Sequence, residues 1–258
     1  MESFMEMFGG YIIPIIVIIV VIIIVAVSKS KQKKYKNEVT SQIIKEMFPD
    51  ADYRPDEYIS RDEYDEIGLR RGSYFEGSDL LYATTKGGRK FRFCEINTYD
   101  KTHTDKSTTT VTIFRGGIFS FEYPKKFTSA VAIEKKGFNA AGSLKTWGEK
   151  KIETENVTFN KKFRVHAEDA ETAFYICTPK FMDKLVEFSN VYKRGLLLSF
   201  KDNWVHIAIP TLDMFKAPMF GSRKPEKIAK FSEKSKADLD RIDEFIENLD
   251  IDSKMFKS

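Results

Sequence analysis

The chain has 258 residues, 42% of them hydrophobic, which is enough to pack a core and points to one or two domains. Of its 42 Lys+Arg and 38 Asp+Glu, five lysines and two glutamates lie in residues 1–36, so the remainder stands at 37 to 36, close to neutral. That balance argues against a nucleic-acid-binding domain, which would carry a basic face of its own.

The first element is an unbroken apolar run, YIIPIIVIIVVIIIVAV at residues 11–27, with Pro14 as its one breaker. As a helix it rises about 26 Å, close to the thickness of a bilayer core once residues 8–10 are added. It reads as a membrane span rather than a cleaved signal peptide, because the ten residues before it carry Glu2 and Glu6 and no Lys or Arg. Lys29, Lys31, Lys33, Lys34 and Lys36 follow directly. Five lysines after the span and none before it place the C-terminal part in the cytoplasm and the N-terminus outside, in an inner-membrane protein that crosses once. The same five lysines suit an anionic lipid surface, or simply fix the topology.

Val39, Ile43 and Met47 recur four residues apart, which predicts a short amphipathic helix ended by Pro49. Residues 50–66 read as a loop with a short helical or extended piece. Alternation then predicts strands over residues 80–85 and 90–99, joined by a Lys86-Gly87-Gly88 turn. Residues 102–110, THTDKSTTT, read as a polar loop. A strand over 110–123 follows, with a bulge or bend at Gly116-Gly117. Further strands are expected over 130–134 and 157–165, with a loop over 137–144. Asp169 can cap a short helix running to Cys177. Thr178 and Pro179 supply the cap and first residue of another, whose Phe181, Leu185, Phe188 and Tyr192 form one stripe. Residues 196–200 and 204–210 predict a hairpin. Leu239, Ile242, Ile246 and Leu249 mark an amphipathic tail helix, packed on the domain or oligomerising. The fold class is therefore α+β: mainly an antiparallel sheet or half-barrel with packed helices, behind one N-terminal transmembrane helix. The organisation reads as an anchor over 1–28, a basic linker and helix over 29–50, a soluble domain over 51–220, and a charged linker with an amphipathic helix over 221–258.

Few residues suggest chemistry. His166, Glu168 and Asp169 are the best metal candidates, but no second histidine lies nearby and Asp169 is better used as a cap. His206 shares a strand face with Trp204 and Ala208 and reads as structural. His103 reads as solvated. Cys94 and Cys177 sit in apolar surroundings and read as buried free thiols. Nucleophile, phosphate-loop and metalloprotease motifs are missing, and the Lys86-Gly87-Gly88-Arg89 stretch suits a hairpin turn better than a phosphate loop. No catalytic, cofactor-binding or metal-binding residue is assigned, and no cofactor is expected. Most of the 22 phenylalanines are expected in the core.

Three stretches carry a family resemblance. One is FNKKFRVHAEDAETAFYICTPKFMDKL, through Phe159, Phe163, Val165, Asp169, Ala173, Tyr175, Thr178 and Pro179. The others are Glu76-Gly77-Ser78-Asp79-Leu80 and Ile113-Phe114-Arg115-Gly116-Gly117. Over roughly residues 55–215 the chain resembles the bacterial family known as domain of unknown function 3137, departing from its pattern at His166-Ala167. The resemblance implies N-terminal membrane spans and no activity. The residues together lead to a membrane-anchored cytoplasmic interaction module, non-enzymatic, with a protein partner. The alternatives are a lipid or membrane-surface sensor, pleckstrin-homology-like by analogy, and an enzyme with an unrecognised site.

Overall fold

The computed structural model describes residues 37–104, 107–138, 150–215 and 225–249, together with 18, 19, 30, 33 and 34. The apolar run at 11–27 lies outside the described residues except for Ile18 and Ile19, which are helical and exposed. No helix among the described residues is long and apolar enough to cross a membrane.

Residues 37–47 form α1. After it come β1 (Asp52–Arg54), α2 (Arg61–Asp65), β2 (Tyr74–Thr84), β3 (Lys90–Thr104), β4 (Ser107–Glu122), β5 (Val131–Lys135), β6 (Lys150–Ile152), α3 (Val157–Lys162), β7 (Phe163–Ala167), α4 (Ala170–Ile176), α5 (Pro179–Val191), β8 (Leu197–Lys201), β9 (Trp204–Pro210) and α6 (Pro225–Glu247). The strands make one nine-stranded sheet in the order β1-β2-β3-β4-β9-β8-β5-β7-β6. Every neighbouring pair is antiparallel. The fold class is thus α+β, an open antiparallel sheet with helices.

Period-two alternation gives the sheet two different faces. Phe91 and Phe93 of β3, Phe119 and Phe121 of β4, Val131 and Ile133 of β5 and Val205, Ile207 and Ile209 of β9 point to one side. There they meet Ile44 and Phe48 at the end of α1, the α5 stripe of Phe181, Leu185 and Phe188, and Leu239, Ile242, Phe245 and Ile246 of α6. The tail helix therefore packs on the sheet, and Leu249 beyond it is buried in the same core. Phe188 stacks on Phe245 at 4.0 Å between ring centroids, locking α5 to α6. The second face is covered over a smaller area by Ile59, Tyr64, Ile67 and Leu69, which flank and include α2.

Local chemistry sets the helix starts. Ser60 and Glu63 form a reciprocal capping box on α2. Asp169 accepts from the Thr172 amide and Thr178 from the Phe181 amide, as their positions predict. Asn156 accepts from Phe159 and opens α3. That cap corrects the expectation of a strand over 157–165, since only 163–167 is extended. The Gly116-Gly117 pair is likewise no bulge: its register with Ile96 and Glu95 is continuous, and the shift falls between Thr98 and Tyr99. A Cβ on Gly116 would stand 2.1 Å from the Ile209 carbonyl oxygen, and one on Gly117 2.7 Å from the Phe93 ring. The two glycines let β4 seat tightly between β9 and the core.

The largest correction concerns the expected loop over residues 102–110, of which 102–104 and 107–110 are strand. β3 runs on to Thr104 and β4 begins at Ser107, so the hairpin continues as a two-stranded ribbon. β2 stops pairing with β3 at Tyr99, and β9 stops pairing with β4 at Gly116. Five residue pairs, Asp100↔Val111 through Thr104↔Ser107, lie beyond both neighbours. At about 3.4 Å per residue they reach roughly 15 Å.

Candidate functional site

The sequence points first to His166. It lies on β7, where its Nε2 is 3.7 Å from Glu134 Oε1. Arg164 binds the same oxygen at 3.0 Å. Burial raises the Glu134 pKa, but His166 and Arg164 outweigh it and hold the carboxyl below its ordinary value. Asp169 faces elsewhere, capping α4 and accepting from Ser129. Glu168 accepts from the Ala130 amide at 3.4 Å. The triple is therefore dispersed. Among the described residues no three His, Cys, Asp or Glu side chains gather as metal ligands.

His206 lies in a row of directly opposed residues that crosses the second face. The row runs Tyr82, Arg92, Ser120, His206, Ser199, Ala132, His166, Lys151. His206 Nδ1 and Ser120 Oγ are 2.8 Å apart. A histidine beside a serine invites comparison with a nucleophile and its base. Here the pair is sealed, with Ser120 1% and His206 3% exposed. The ring is buried, and Trp204 stacks beside it at 6.1 Å. Burial first, and then Arg92 and Lys201, pull its pKa down to about 3, so it stays neutral. Arg92 lies over the Trp204 ring at 5.2 Å and is ion-paired with Glu63. The row is a polar seam in which Trp204 and Arg92 flank the histidine.

The Lys86-Gly87-Gly88 turn is a hairpin turn bound by helix α6. The Lys86 amide donates to Asp243 at 3.2 Å, Lys86 Nζ to Asp240 at 2.8 Å, and the Thr85 hydroxyl to Glu247. The Lys86 amide and ammonium are thus engaged by carboxylates, and burial raises the pKa of Asp243. Cys94 and Cys177 are buried free thiols, each pushed by burial to about 12.

The ribbon is the part of the described sheet that packing leaves uncovered. Residues 101–103 and 107–112 are exposed on both strands, and Val111 keeps 45% of its surface. Its root is firmly built. Tyr74 stacks on Tyr99 at 5.1 Å and 2°, and Lys101 Nζ lies 4.6 Å over the Tyr74 ring. Asp100 accepts from the Ser73 amide at 2.8 Å and its hydroxyl at 2.9 Å, bonds that hold its carboxyl below its ordinary value. Gly72 donates to the Thr98 hydroxyl at 2.7 Å. Farther out, His103 bonds Thr108 at 2.9 Å; it is exposed, as expected, but on a strand. The sequence does hold the signal for this ribbon: threonine is a strong strand former, and THT and STTTVT stand on either side of Asp105-Lys106.

A family model described as "Protein of unknown function (DUF3137)" matches residues 112–251, more than half of the chain. The chain belongs to this family. The match covers β4 from Thr112 to the end of α6 and leaves out the ribbon. Among solved structures, the chain is similar to the crystal structure of the mycobacterial trehalose monomycolate transport factor A, TtfA, at 10% identity and a TM-score of 0.42, over 84% of this chain and 96% of that one. No curated protein matches it.

Proposed function

We propose that this family member is a membrane-anchored, non-enzymatic interaction module that engages another protein from the cytoplasmic face of the inner membrane. One observation carries the reading: among the described residues, the polar groups that suggested chemistry are consumed by the fold, while a braced ribbon is built outward with nothing packed on it. A domain that only needed a stable sheet gains little from 15 Å of two-stranded extension. The anchor at residues 11–27 supplies the tether, which raises the effective concentration of the domain toward other proteins in the same membrane. Lys33 and Lys34 are exposed at the entry to α1, and with Lys29, Lys31 and Lys36 they suit an anionic lipid surface. Because Ile43 and Ile44 bury the far end of α1 in the domain, lipid contact at those lysines would also orient the domain.

Cross-linking and affinity capture of the full-length chain from native membranes tests this. An abundant stoichiometric protein whose capture is lost when residues 101–110 are replaced by a short Gly-Ser turn is the expected outcome. Turnover of a substrate by the purified chain overturns the reading.

A further inference from the structure

We infer that the ribbon is held in the headgroup layer of the membrane that carries residues 11–27, so that the protein it engages is one embedded in that same membrane. The inference deepens the interaction-module reading and rests on its anchor.

Ribbon and anchor leave the domain by the same end. At the far end of α1, Phe48 packs against Phe91 with ring centroids 5.4 Å apart, and Asp50 just beyond accepts from the Thr84 hydroxyl. That is where β2 finishes. At the entry to α1, Lys33 is ion-paired with Asp56. The neighbouring Pro55 accepts from the Asp79 amide at 3.1 Å, halfway back along β2. Traced from residue 50 back to residue 33, the chain therefore moves from the Thr84 end of β2 toward its Tyr74 end. The ribbon continues β3 and β4 in that same direction.

The two reaches are unequal. Six residues separate Lys33 from Val27, the last of the apolar run. They span about 9 Å as a helix and at most about 22 Å fully extended. From Glu95, which stands opposite Ser78, β3 runs nine residues to Thr104, roughly 31 Å. The tether is thus too short to hold the ribbon clear of the bilayer. Insertion is barred from the other side, because hydrocarbon leaves the N–H and C=O groups of an open sheet edge without water. The ribbon is polar as well, with Lys101 and His103 on β3 and Ser107, Thr108, Thr109 and Thr110 on β4 exposed. Between these two limits it rests among the headgroups, the sheet leaning so that the ribbon runs along the surface.

Its chemistry selects protein over lipid there. Segments that bind a bilayer surface set lysine and arginine against large apolar side chains. Among the described residues of the ribbon, Lys101 is the one Lys or Arg, and its ammonium lies over the Tyr74 ring; Val111 is the one large apolar side chain. What remains is backbone and hydroxyls, at a height reached by the membrane-proximal segments of embedded proteins.

The native Cys94 and Cys177 are buried, so single cysteines can be labelled in the full-length chain. Thr102→Cys and Val111→Cys place a fluorophore on the ribbon. Lys90→Cys places it at the opposite end of the strand that carries Thr102, at an exposed position. In vesicles holding headgroup-spin-labelled lipid, several-fold stronger quenching at 102 and 111 than at 90 is the expected result. Equal quenching at the three positions, in a chain that stays with the vesicles through alkaline extraction, overturns the inference and leaves the anchor standing. A chain released by alkali overturns the anchor as well. A photocrosslinker in place of Thr109 in native membranes then identifies the occupant. The expected adduct is a protein that itself resists alkaline extraction; an adduct with a water-soluble protein, or with lipid alone, overturns the assignment of the partner.

Discussion

The body of the sheet and the ribbon that extends it are continuous along two strands, yet they are stabilised by different physics. In the body, β3 and β4 carry Phe91, Phe93, Phe119 and Phe121 into a core shared with five helices. In the ribbon the same strands carry threonines and charge into solvent, and hold their shape through backbone pairing, strand propensity and the Tyr74–Tyr99–Lys101 brace. A substitution should therefore cost stability in proportion to burial in the body and almost nothing in the ribbon.

Phe119→Ala, in the middle of β4, should show the largest effect. It removes a fully buried ring in contact range of Phe93, with centroids 4.5 Å apart, and should destabilise the chain by about 3–5 kcal/mol in urea titration. Next comes the polar seam. His206 has its pKa lowered from 6.5 to about 3, so the unfolded chain binds a proton that the folded chain refuses. Stability is then full above the unfolded pKa and declines as pH falls toward the folded one. Between pH 7 and pH 5 this single group should cost about 2 kcal/mol. His206→Asn should remove that part of the acid sensitivity, which denaturation curves at the two pH values would show. Asp169→Ala deletes the cap of α4 and should cost about 1 kcal/mol, a small drop in denaturation midpoint. Thr109→Ala, on the ribbon, should change stability by less than about 0.5 kcal/mol, while hydrogen exchange there runs faster than at Phe119. A large loss at Thr109 would break the comparison, because it would mean that the ribbon is packed against something.

Legibility in the sequence follows the same division. The helices opened by Asp169 and by Thr178-Pro179 were readable because a cap is local chemistry, as was the hairpin across Asp202-Asn203. The antiparallel α+β class followed from alternation and the missing βαβ rhythm. Val157–Lys162 misled because Val157, Phe159 and Phe163 suit a strand as well as a helix, and the deciding residue, Asn156, lies just outside the alternating run. The ribbon misled because a run of threonines, polar on both faces, looks like a loop to a reading that seeks one apolar face. Burial of His206 was not readable, since its partner Ser120 lies on β4, 86 residues upstream, and Arg92, which covers the Trp204 beside it, lies on β3. The acidic residues of α6 that occupy the Lys86-Gly87-Gly88 turn lie about 155 residues beyond it. No local pattern joins them.

The strand order has a consequence in time. β4 lies inside the sheet, and its edge from Gly116 to Glu122 is filled by the central strand β9, which is made only after some eighty further residues. On a growing chain the phenylalanine-rich heart of β4 waits with one side open until Trp204–Pro210 has left the ribosome. Such distant pairing slows folding and lengthens exposure to wrong partners. A chain that stops short of Trp204 therefore keeps its helix caps and its β2–β3–β4 meander but presents an apolar, unpaired strand, the form a cell's proteases and chaperones recognise.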